Sequence, residues 1–422
     1  MLDITFIKEN PELVINSMNN KGEKNVQIVQ QVIDTDEQWR QLVHQVDTLR
    51  AQSNKAAKQI GALMASGKKE EAQAIIKETS RSKDEVKELE EQLNMIAEER
   101  TSLLLRIPNV AHPSVPIGHS EEDNQVYGTW GSPDTQSWLK PHWDILERHG
   151  WLDFERGVKV TGAGFPFYLG PLAQLQRALI HFFIEEANKA GYIEMQAPYF
   201  INEDSARGTG QIPDKEDMMY EIPRDGFFAI PTAEVPVTNF HRDEILSEEQ
   251  LPIRYVCHTP CWRREAGSYG KDVRGLNRLH QFDKVELVHF VKPEDSYATL
   301  ELLRVHVESL LQKLGLAYQT LLMCTGDMGF TQTKKYDVEV WSPGQQRWLE
   351  VSSCSNFEAF QARRMQLRYR KGEKETEMVH TLNGSGLALP RVLSAIVETY
   401  QTENGRVRVP DILKKYIDRE YL

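Results

Sequence analysis

Cysteine and long apolar runs are both scarce in this chain of 422 residues. No stretch approaches the roughly 18 consecutive apolar residues of a membrane helix, and the N-terminus lacks the long apolar core of a signal peptide. No second cysteine pair and no histidine cluster completes a zinc pattern around Cys257 and Cys261. We therefore expect a cytoplasmic protein, away from membranes, whose cysteines are buried free thiols: Cys257, Cys261, Cys324 and Cys354.

Positive charge is also in deficit, since the formal net charge is −12 at pH 7. Taken over the whole chain, this excess of acids argues against a protein that binds nucleic acid. A whole-chain charge can conceal a local basic patch, so the charge of each segment has to be considered separately.

Residues 27–105 contain no proline and only two glycines, Gly61 and Gly67. The segment is rich in helix-forming residues, and its apolar rows, spaced three and four residues apart, form one seam along a helix. Because the rows stop around Gly67 and then resume, we predict two long helices that pack as an antiparallel coiled-coil hairpin. The rows are Trp39, Val46, Ser53 and Ile60 with Leu42, Leu49, Ala56 and Leu63, then Ala72, Thr79, Val86 and Leu93 with Ile75, Ser82, Leu89 and Ile96.

The predicted hairpin is long and its charges are segregated. At 1.5 Å per residue, thirty to forty helical residues reach roughly 45–60 Å, so we expect a projecting arm. The distal part, residues 50–83, has eight bases against three acids, whereas the base of the arm is acidic. A basic tip on a long lever suits a phosphate backbone, but charges outside a coiled-coil seam are also common on solvated helix faces. Both interpretations stay open on this segment alone.

The remainder of the chain has a different composition. Residues 106–165 are rich in proline, which favours extended and turn structure, and we interpret them as a connector. From about residue 170, amphipathic helices alternate with β-rich runs, which predicts an α+β domain on an antiparallel sheet flanked by helices. We therefore predict two domains, residues 1–105 with the arm at about 27–105, and residues 106–422. The predicted elements are a short strand and a helix within residues 1–20, helices at Pro171–Ala190 and Pro390–Tyr400, and strands at Ile253–Cys257, Lys284–Val291, Tyr336–Val340 and Trp348–Val351.

One segment of the second domain reads as a hairpin with Arg263 on one strand and Phe282 on the other. Its loop contains Gly267, Gly270 and Gly275. The guanidinium fork of arginine grips phosphate, and a phenylalanine ring can stack on a nucleotide base. The same pattern also fits a hairpin with a surface arginine and a core phenylalanine, so the pattern alone does not distinguish a nucleotide site from a structural hairpin.

Three other segments carry side chains that could belong to a binding site. Along the predicted strand through Glu350 and Ser353, alternate residues point to opposite faces, and a carboxylate with a hydroxyl can hold Mg²⁺ beside a triphosphate. The run Thr381–Gly386 reads as a glycine-rich turn that leads into a helix with Arg391, an arrangement that favours anions. The last of these three segments is Thr232-Ala233-Glu234.

Together, the order and identity of these segments are specific. Thr232-Ala233-Glu234, the hairpin of Arg263 and Phe282, and Glu350–Ser353 with Leu382–Ala388 and Arg391 resemble the serine loop, motif 2 and motif 3 of seryl-tRNA synthetases. The run Gly191–Pro198 resembles motif 1 of class II synthetases, and the helical hairpin resembles the family's tRNA-binding arm. The resemblance is to the bacterial type and extends over essentially the whole chain.

The resemblance implies a class II, ATP-dependent ligase that forms seryl-adenylate and transfers serine to the 3′ end of tRNA(Ser), with tRNA(Sec) left open as a second substrate. It implies Mg²⁺ bound with ATP, and a homodimer through the motif 1 region near Pro198. For catalysis it implies Arg263, Glu265 and Arg391, and for serine binding Thr232, Ala233, Glu234, Glu286, Asn383 and Ser385. For ATP it implies Arg263, Arg264, Glu265, Leu279, Phe282, Glu350, Val351, Ser352, Ser353 and Arg391, with Glu350 and Ser353 as metal ligands. For tRNA we select the arm residues Arg50, Lys55, Lys58, Lys77 and Arg81.

Two departures and two rival functions accompany this resemblance. The family usually has Phe-Arg-Ser-Glu in motif 2, where this chain has Trp262-Arg263-Arg264-Glu265, which puts only the contact of the middle residue in doubt. Leu-Pro precedes Arg391 in place of a smaller pair, and proline is tolerated at a helix start. The rivals are a ligase that charges a carrier protein or another amino acid, and a non-catalytic RNA-binding protein.

Overall fold

The computed structural model describes residues 1–265 and 274–422, without the side chains of Glu78, Arg81, Lys83 and Glu216. The predicted loop glycines Gly267 and Gly270 lie outside the described residues. Contacts divide the chain into two compact units. The arm unit contains residues Leu2–Asn19 and Glu23–Pro108, and the sheet unit contains Met1, Asn20–Gly22 and Asn109–Leu422. Within the described residues, no helix is both long and apolar enough to cross a membrane.

The arm unit is built from four helices and contains no strand among its described residues. Its two long helices are 38 and 37 residues long and run antiparallel, and Gly67 in the turn between them has a φ of +78°, which favours glycine. Every residue of the two predicted apolar seams is buried or half-buried, whereas most residues between them are exposed. The predicted coiled-coil hairpin is therefore confirmed. The helices are α1 (Ile4–Glu9), α2 (Pro11–Asn20), α3 (Ile28–Ala65) and α4 (Lys69–Leu105).

The strand predicted near the N-terminus is wrong, because residues Ile4–Glu9 form helix α1. The Asp3 carboxylate accepts a hydrogen bond from the Thr5 backbone N–H at 2.8 Å and caps that helix. A cap of this kind stabilises a short helix whose alternating apolar residues would also suit a strand. The sequence pattern of so short a segment does not distinguish a helix from a strand.

A buried carboxylate ties together the base of the arm. Asp36 is fully buried and forms ion pairs with Lys8 at 3.1 Å, Arg40 at 2.8 Å and Arg100 at 2.7 Å. The guanidinium of Arg100 also lies over the ring of Trp39, 4.6 Å from its centroid. Burial raises the pKa of Asp36, but its three cationic partners outweigh that effect and lower the pKa overall. This cluster joins α1, α3 and α4 where the arm begins.

The sheet unit is built on an eight-stranded sheet with the strand order β1-β11-β12-β13-β16-β10-β9-β4. All neighbours in this sheet are antiparallel except β4 and β9, so the predicted α+β class is confirmed. The strands are β1 (Gln125–Trp130), β2 (Leu152–Asp153), β3 (Phe167–Tyr168), β4 (Ile193–Met195), β5 (Phe200–Ile201), β6 (Tyr220–Ile222), β7 (Phe227–Ala229), β8 (Ile245–Leu246), β9 (Ile253–Trp262), β10 (Gln281–Val291), β11 (Tyr318–Leu322), β12 (Lys334–Ser342), β13 (Arg347–Glu358), β14 (Arg368–Lys371), β15 (Glu375–Met378) and β16 (His380–Ala388).

Helices flank this sheet and bury its apolar face. The predicted helix Pro171–Ala190 is present as α7, and the predicted C-terminal helix is present as α12. The four predicted strands are present, and each is longer than predicted. The four cysteines are buried and free, as predicted. The helices are α5 (His142–His149), α6 (Phe154–Val160), α7 (Pro171–Lys189), α8 (Glu203–Thr209), α9 (Glu234–Asn239), α10 (Ser296–Lys313), α11 (Phe360–Met365) and α12 (Leu389–Thr399).

Two expectations about irregular structure are wrong. The predicted glycine-rich turn after Thr381 is strand β16, in the middle of the sheet. A Cβ at Gly384 would lie 3.1 Å from the Leu303 side chain, and one at Gly386 would lie 3.0 Å from Leu287, so these glycines allow close packing within the core. The predicted connector also contains regular structure, since it supplies strand β1, which extends the sheet, and helices α5 and α6.

Candidate active site

A cavity of about 420 Å³ opens on the polar face of the sheet, within the sheet unit. Three of the predicted site residues do not line it: Ala233 and Glu286, which are fully buried, and Arg264. The predicted site residues that do line it are Thr232, Glu234, Arg263, Glu265, Leu279, Phe282, Glu350, Val351, Ser352, Ser353, Asn383, Ser385 and Arg391. Residues that lie far apart in sequence are thus brought to one site.

Strand β10 forms part of the floor of this cavity. Phe282, Lys284 and Glu286 are alternate residues of the strand and therefore share one face. The register pairs Glu286 with Ser385 on β16 and Lys284 with Thr259 on β9. Phe282 is half-buried, and Lys284 and Glu286 are buried, so this face of β10 becomes more buried and more polar from Phe282 to Glu286.

The enclosed end is organised around the carboxylate of Glu286. Thr232 donates a hydrogen bond to Glu286 Oε2 at 2.9 Å, and Asn383 donates to Oε1 at 3.1 Å. Lys284 forms an ion pair with Glu286 and also donates to the Thr232 hydroxyl at 2.8 Å. A buried carboxylate is stable only when its charge and lone pairs are satisfied, and these three side chains satisfy Glu286.

A second carboxylate, Glu234, lies beside the first. Gln361 donates to one of its oxygens at 2.7 Å, and Asn383 donates to the other at 2.9 Å. Burial and the negative charge of Glu286 raise the pKa of Glu234 to about 7, against the smaller opposing effects of Gln361 and the nearby lysines. Asn383 therefore joins two carboxylates at the closed end, and a ligand with a positive charge and a hydroxyl would complement them.

The open end carries the arginines and the aromatic ring. Arg263 donates from Nε to the carbonyl of Pro231 at 3.2 Å, and its guanidinium carbon lies 5.2 Å from the centroid of the Phe282 ring. Glu265 has a φ of +49°, and its carboxylate accepts a hydrogen bond from Arg278 at 2.5 Å. The backbone N–H of Arg264 donates to Met218. This end can accept a planar aromatic group and negative charge.

Arg391, in the first turn of α12, crosses the opposite wall of the cavity. Its Nε donates to the carbonyl of Asn277 at 3.1 Å, and Nη1 donates to the carbonyl of Glu350 at 2.8 Å. Nη1 also lies 3.7 Å from the Glu350 carboxylate. Two backbone acceptors from two different segments therefore fix the direction of this guanidinium. Leu279 is buried close to this wall.

Strand β13 contains an irregularity where it lines the cavity. In a regular strand Glu350 and Ser353 would point to opposite faces. The pairing with β12 shifts between Ser352 and Glu350, so that Val351 is an extra residue, and both Glu350 and Ser353 line the cavity. Val351 and Ser352 line the cavity as well. The Ser352 hydroxyl donates to the Ser385 carbonyl at 2.6 Å.

Three lysines of the cavity wall were missed by the sequence analysis. Lys284 stands between Phe282 and Glu286 in the alternation of β10, a signal that could have identified it. Lys335 lines the cavity from β12 and pairs with Asp337 at 2.8 Å. Lys215 lines it from the segment before β6, and no local pattern indicates either of these two residues.

Four of the five basic residues selected on the arm lie on its surface. Lys55, Lys58 and Lys77 are exposed. Arg50 is exposed too, but it forms an ion pair with Glu90 of the opposite helix at 2.7 Å. The side chain of Arg81 lies outside the described residues.

Comparisons with known proteins agree over the whole length of the chain. A family model described as the seryl-tRNA synthetase N-terminal domain matches residues 1–111, and one described as the tRNA synthetase class II core domain (G, H, P, S and T) matches residues 220–400. The chain is 54% identical to the serine–tRNA ligase of Salinibacter ruber, over 99% of this chain and 98% of that protein.

Two solved structures are also similar to this chain over its whole length. The seryl-tRNA synthetase of Pyrococcus horikoshii, in complex with ATP, superposes with a TM-score of 0.93 and 35% identity, covering 100% of this chain and 99% of that one. The cytoplasmic serine–tRNA ligase of Naegleria fowleri, in complex with AMP, superposes with a TM-score of 0.87 and 28% identity, covering 100% and 98%.

Proposed function

The chain belongs to the seryl-tRNA synthetase family and acts as a class II serine–tRNA ligase that uses ATP, and from this premise we propose which side chains carry each step. The observation that supports the assignment of roles is the arrangement of one cavity, in which a closed end lined by Glu234 adjoins an open end with Arg263, Phe282 and Arg391. The buried carboxylate of Glu286 binds Thr232 and Asn383, which line the closed end. Exchange of pyrophosphate into ATP, dependent on serine and independent of tRNA, is the direct test of the first step.

The first step needs no side-chain nucleophile. The serine carboxylate attacks the α-phosphorus of ATP in line, a seryl-adenylate forms, and pyrophosphate leaves. Catalysis then consists of placing the two substrates in one cavity and neutralising the charge that develops on phosphate oxygens. The second step transfers serine from the adenylate to the terminal ribose 3′-hydroxyl of tRNA and releases AMP.

We propose that the open end of the cavity binds ATP. Phe282 and Arg391 enclose the adenine between a ring and a guanidinium plane, and Arg391 also lies near the γ-phosphate. Arg263 neutralises the α-phosphate, and its bond to Pro231 holds it beside the cavity. The nucleotide pocket is completed by Glu265 and Leu279 and by the backbone of Val351 and Ser352. Arg264 does not line the cavity, and its backbone N–H donates to the carbonyl of Met218.

Glu350 and Ser353 fit the Mg²⁺ that accompanies ATP. Both offer oxygen atoms on the cavity wall, and Mg²⁺ prefers oxygen. Among the described residues, no group of three or more His, Cys, Asp and Glu side chains could hold a metal ion, which suits an ion that takes its other ligands from phosphate and water. When bound, the ion would supply neutralisation of phosphate charge.

The Glu350→Gln variant is expected to need at least about tenfold more Mg²⁺ for half-maximal pyrophosphate exchange, because it weakens one ligand. The backbone carbonyl of Glu350 still binds Arg391 in this variant. Glu339→Gln is the matched control, since Glu339 pairs with Glu350 in the sheet register but does not line the cavity. Equal Mg²⁺ requirements of the wild type and the Glu350 variant would contradict the metal assignment.

We propose that the closed end binds serine. Thr232 and Glu234 bind its ammonium group, and Glu286 binds its hydroxyl. Asn383 and Ser385 close the pocket. The buried side chain of Ala233 packs behind Thr232 and Glu234. Glu286 is fully buried and three side chains already bind its carboxylate, so we propose that the serine hydroxyl reaches it by replacing one of these donors. The Thr232 hydroxyl is the simplest to replace, since it rotates about one bond.

The affinity for serine is expected to rise with pH through about 7. Glu234 has its pKa raised to about 7, so below that pH it is protonated and must lose a proton before it can pair with an ammonium group. The KM for serine in pyrophosphate exchange is therefore expected to fall about tenfold from pH 6 to pH 8. A Glu234→Gln variant should bind serine weakly and lack this pH dependence. A KM that is flat or rises over this range would contradict the role of Glu234.

We propose that the arm binds tRNA(Ser) through its phosphate backbone and its shape, using Arg50, Lys55, Lys58, Lys77 and Arg81. The excess of bases over acids in the distal part supports this proposal. We also propose that the reaction takes place in the cytoplasm.

We further propose a homodimer through the motif 1 region near Pro198. Strand β4 lies at the edge of the large sheet, and Ile193, Tyr199 and Phe200 expose apolar surface in this region. Sedimentation equilibrium is expected to give twice the 48.6 kDa of the chain. An Ile193→Asp variant should shift the equilibrium towards the monomer, whereas Leu13→Asp, which changes an exposed leucine of the arm unit, should not. A wild-type monomer at micromolar concentration would contradict the proposal.

A further inference from the structure

A buried histidine–glutamate pair lies behind the wall of the nucleotide pocket. His142, the first residue of α5, and Glu398, near the end of α12, are both completely buried. His142 Nδ1 lies 2.8 Å from Glu398 Oε1, and the backbone N–H of His142 donates to the same oxygen at 2.9 Å. Neither residue touches the cavity, and the proposed chemistry does not use them.

The geometry fixes the proton on the imidazole ring. The backbone N–H of Leu276 donates to His142 Nε2 at 2.9 Å. Since an N–H can only donate, Nε2 is the acceptor, and the ring proton is on Nδ1, which donates to Glu398. His142 thus connects the carboxylate on α12 to the backbone of residue 276.

The neighbouring glycine shows how closely the ring approaches this backbone. Gly275 has a φ of +63°, and a Cβ there would lie 2.2 Å from His142 Nε2. Both the backbone conformation and the lack of space therefore require glycine at this position. Arg274, one residue earlier, lies over the ring of Trp143 at 4.8 Å, so α5 contacts residues 274–276 at several points.

A second branch leads from Glu398 to the same segment. Gln345 donates to Glu398 Oε1 at 3.1 Å and accepts a hydrogen bond from Asn277 at 2.9 Å. The remaining carboxylate oxygen of Glu398 accepts from the Ser342 hydroxyl and from the backbone N–H of Gly344. Residues 275–277 are thus held from both their backbone and the Asn277 side chain.

The segment held in this way touches the nucleotide pocket. Leu276 and Asn277 line the cavity, and the carbonyl of Asn277 accepts the Nε hydrogen bond of Arg391. We infer that the His142–Glu398 pair is a positioning element of the ATP site, which fixes the backbone of residues 275–277 and, through the Asn277 carbonyl, the direction of Arg391. The inference rests on the proposed role of Arg391 in binding ATP.

Steady-state pyrophosphate exchange with the full chain tests it, with ATP and serine varied separately. His142→Phe keeps a ring but loses both hydrogen bonds, and we expect its KM for ATP to rise about tenfold, while its KM for serine stays within about twofold. His142→Gln offers an amide oxygen to the Leu276 N–H and is expected to restore most of the affinity for ATP. The matched control is His149→Phe at the other end of α5, where the histidine binds the Gly405 carbonyl, and it should behave as the wild type.

A double-mutant cycle separates positioning from general damage. In an Arg391→Ala background, His142→Phe should raise the KM for ATP no further, because the pair acts through Arg391. If circular dichroism shows that His142→Phe does not fold, Gly275→Ala takes its place, since its Cβ displaces the same backbone. An equal rise of both KM values, an unchanged KM for ATP, or additive effects with Arg391→Ala would overturn the inference. Absence of serine-dependent exchange in the wild type would instead contradict the proposed function.

Discussion

Replacing residues 47–92 by a short glycine-containing turn is expected to abolish aminoacylation of tRNA and to leave serine-dependent pyrophosphate exchange unchanged. The deletion removes the distal arm with most of its bases but keeps the ion-pair cluster of Asp36 with Lys8, Arg40 and Arg100 at its base. A turn of two to five residues can join antiparallel helices, so the shortened hairpin retains a closed end.

The physical reason for so large an effect is the loss of several phosphate contacts at once. Each contact contributes through the release of counterions, and losing several lowers the affinity for RNA by about a thousandfold or more. A milder variant, with Lys55, Lys58 and Lys77 changed to Gln, should weaken tRNA binding and reduce its dependence on salt. The cavity lies in the sheet unit, so exchange without tRNA should not change. Full charging of tRNA by the deletion variant would contradict the role of the arm.

Replacing Glu286 by Ala is expected to reduce kcat/KM for serine by at least about a thousandfold. The variant removes the carboxylate that three side chains bind, and a buried charge that loses its partner costs about 3–5 kcal/mol. Here the uncompensated charge is Lys284, which is 5% exposed. The serine hydroxyl loses its acceptor at the same time. The KM for ATP should change little, because Glu286 lies at the other end of the site.

A loss of stability could imitate this result, so a second variant and a matched control are needed. Glu286→Gln keeps the volume of the side chain but presents an amide, and it should still lose most serine activation. Glu308→Gln is the control, because the Glu308 carboxylate also accepts a threonine hydroxyl, that of Thr320, and pairs with a base, Arg304, but lies away from the cavity. Thermal unfolding of all three variants shows which effects are structural. Wild-type serine kinetics in Glu286→Gln would contradict the assigned pocket.

Much of the fold could be predicted because its signals are periodic. The apolar rows of the arm, such as Val46 seven residues after Trp39, depend on helix geometry alone, and the structure buries or half-buries every one of them. Phe282 and Glu286 share a face for an equally local reason, since alternation along a strand needs no knowledge of its neighbours.

The parts that could not be predicted depend on contacts between strands. The bulge at Val351 in the strand that carries Glu350 and Ser353 exists only relative to the register with β12. Gly384 lies in strand β16 and packs closely against Leu303 of helix α10, whereas its local sequence favours a turn. Lys335 and the His142–Glu398 pair have no sequence signal, since each depends on a partner brought close by the tertiary fold.

Pyrophosphate exchange into ATP, measured without tRNA for serine, alanine, threonine, cysteine and glycine, shows which amino acid the cavity activates. We predict exchange with serine, and rejection of alanine by about 10⁴–10⁵ because a site built to bind a hydroxyl is left unpaired by an analogue that lacks it. Threonine must be excluded by its extra methyl group, which is worth only about 10–200-fold in a pocket unless it clashes. Exchange that prefers another of these amino acids would point to a ligase for a different amino acid or for a carrier protein, and no exchange with any of them would point to a non-catalytic RNA-binding protein. Either result would contradict the proposed function.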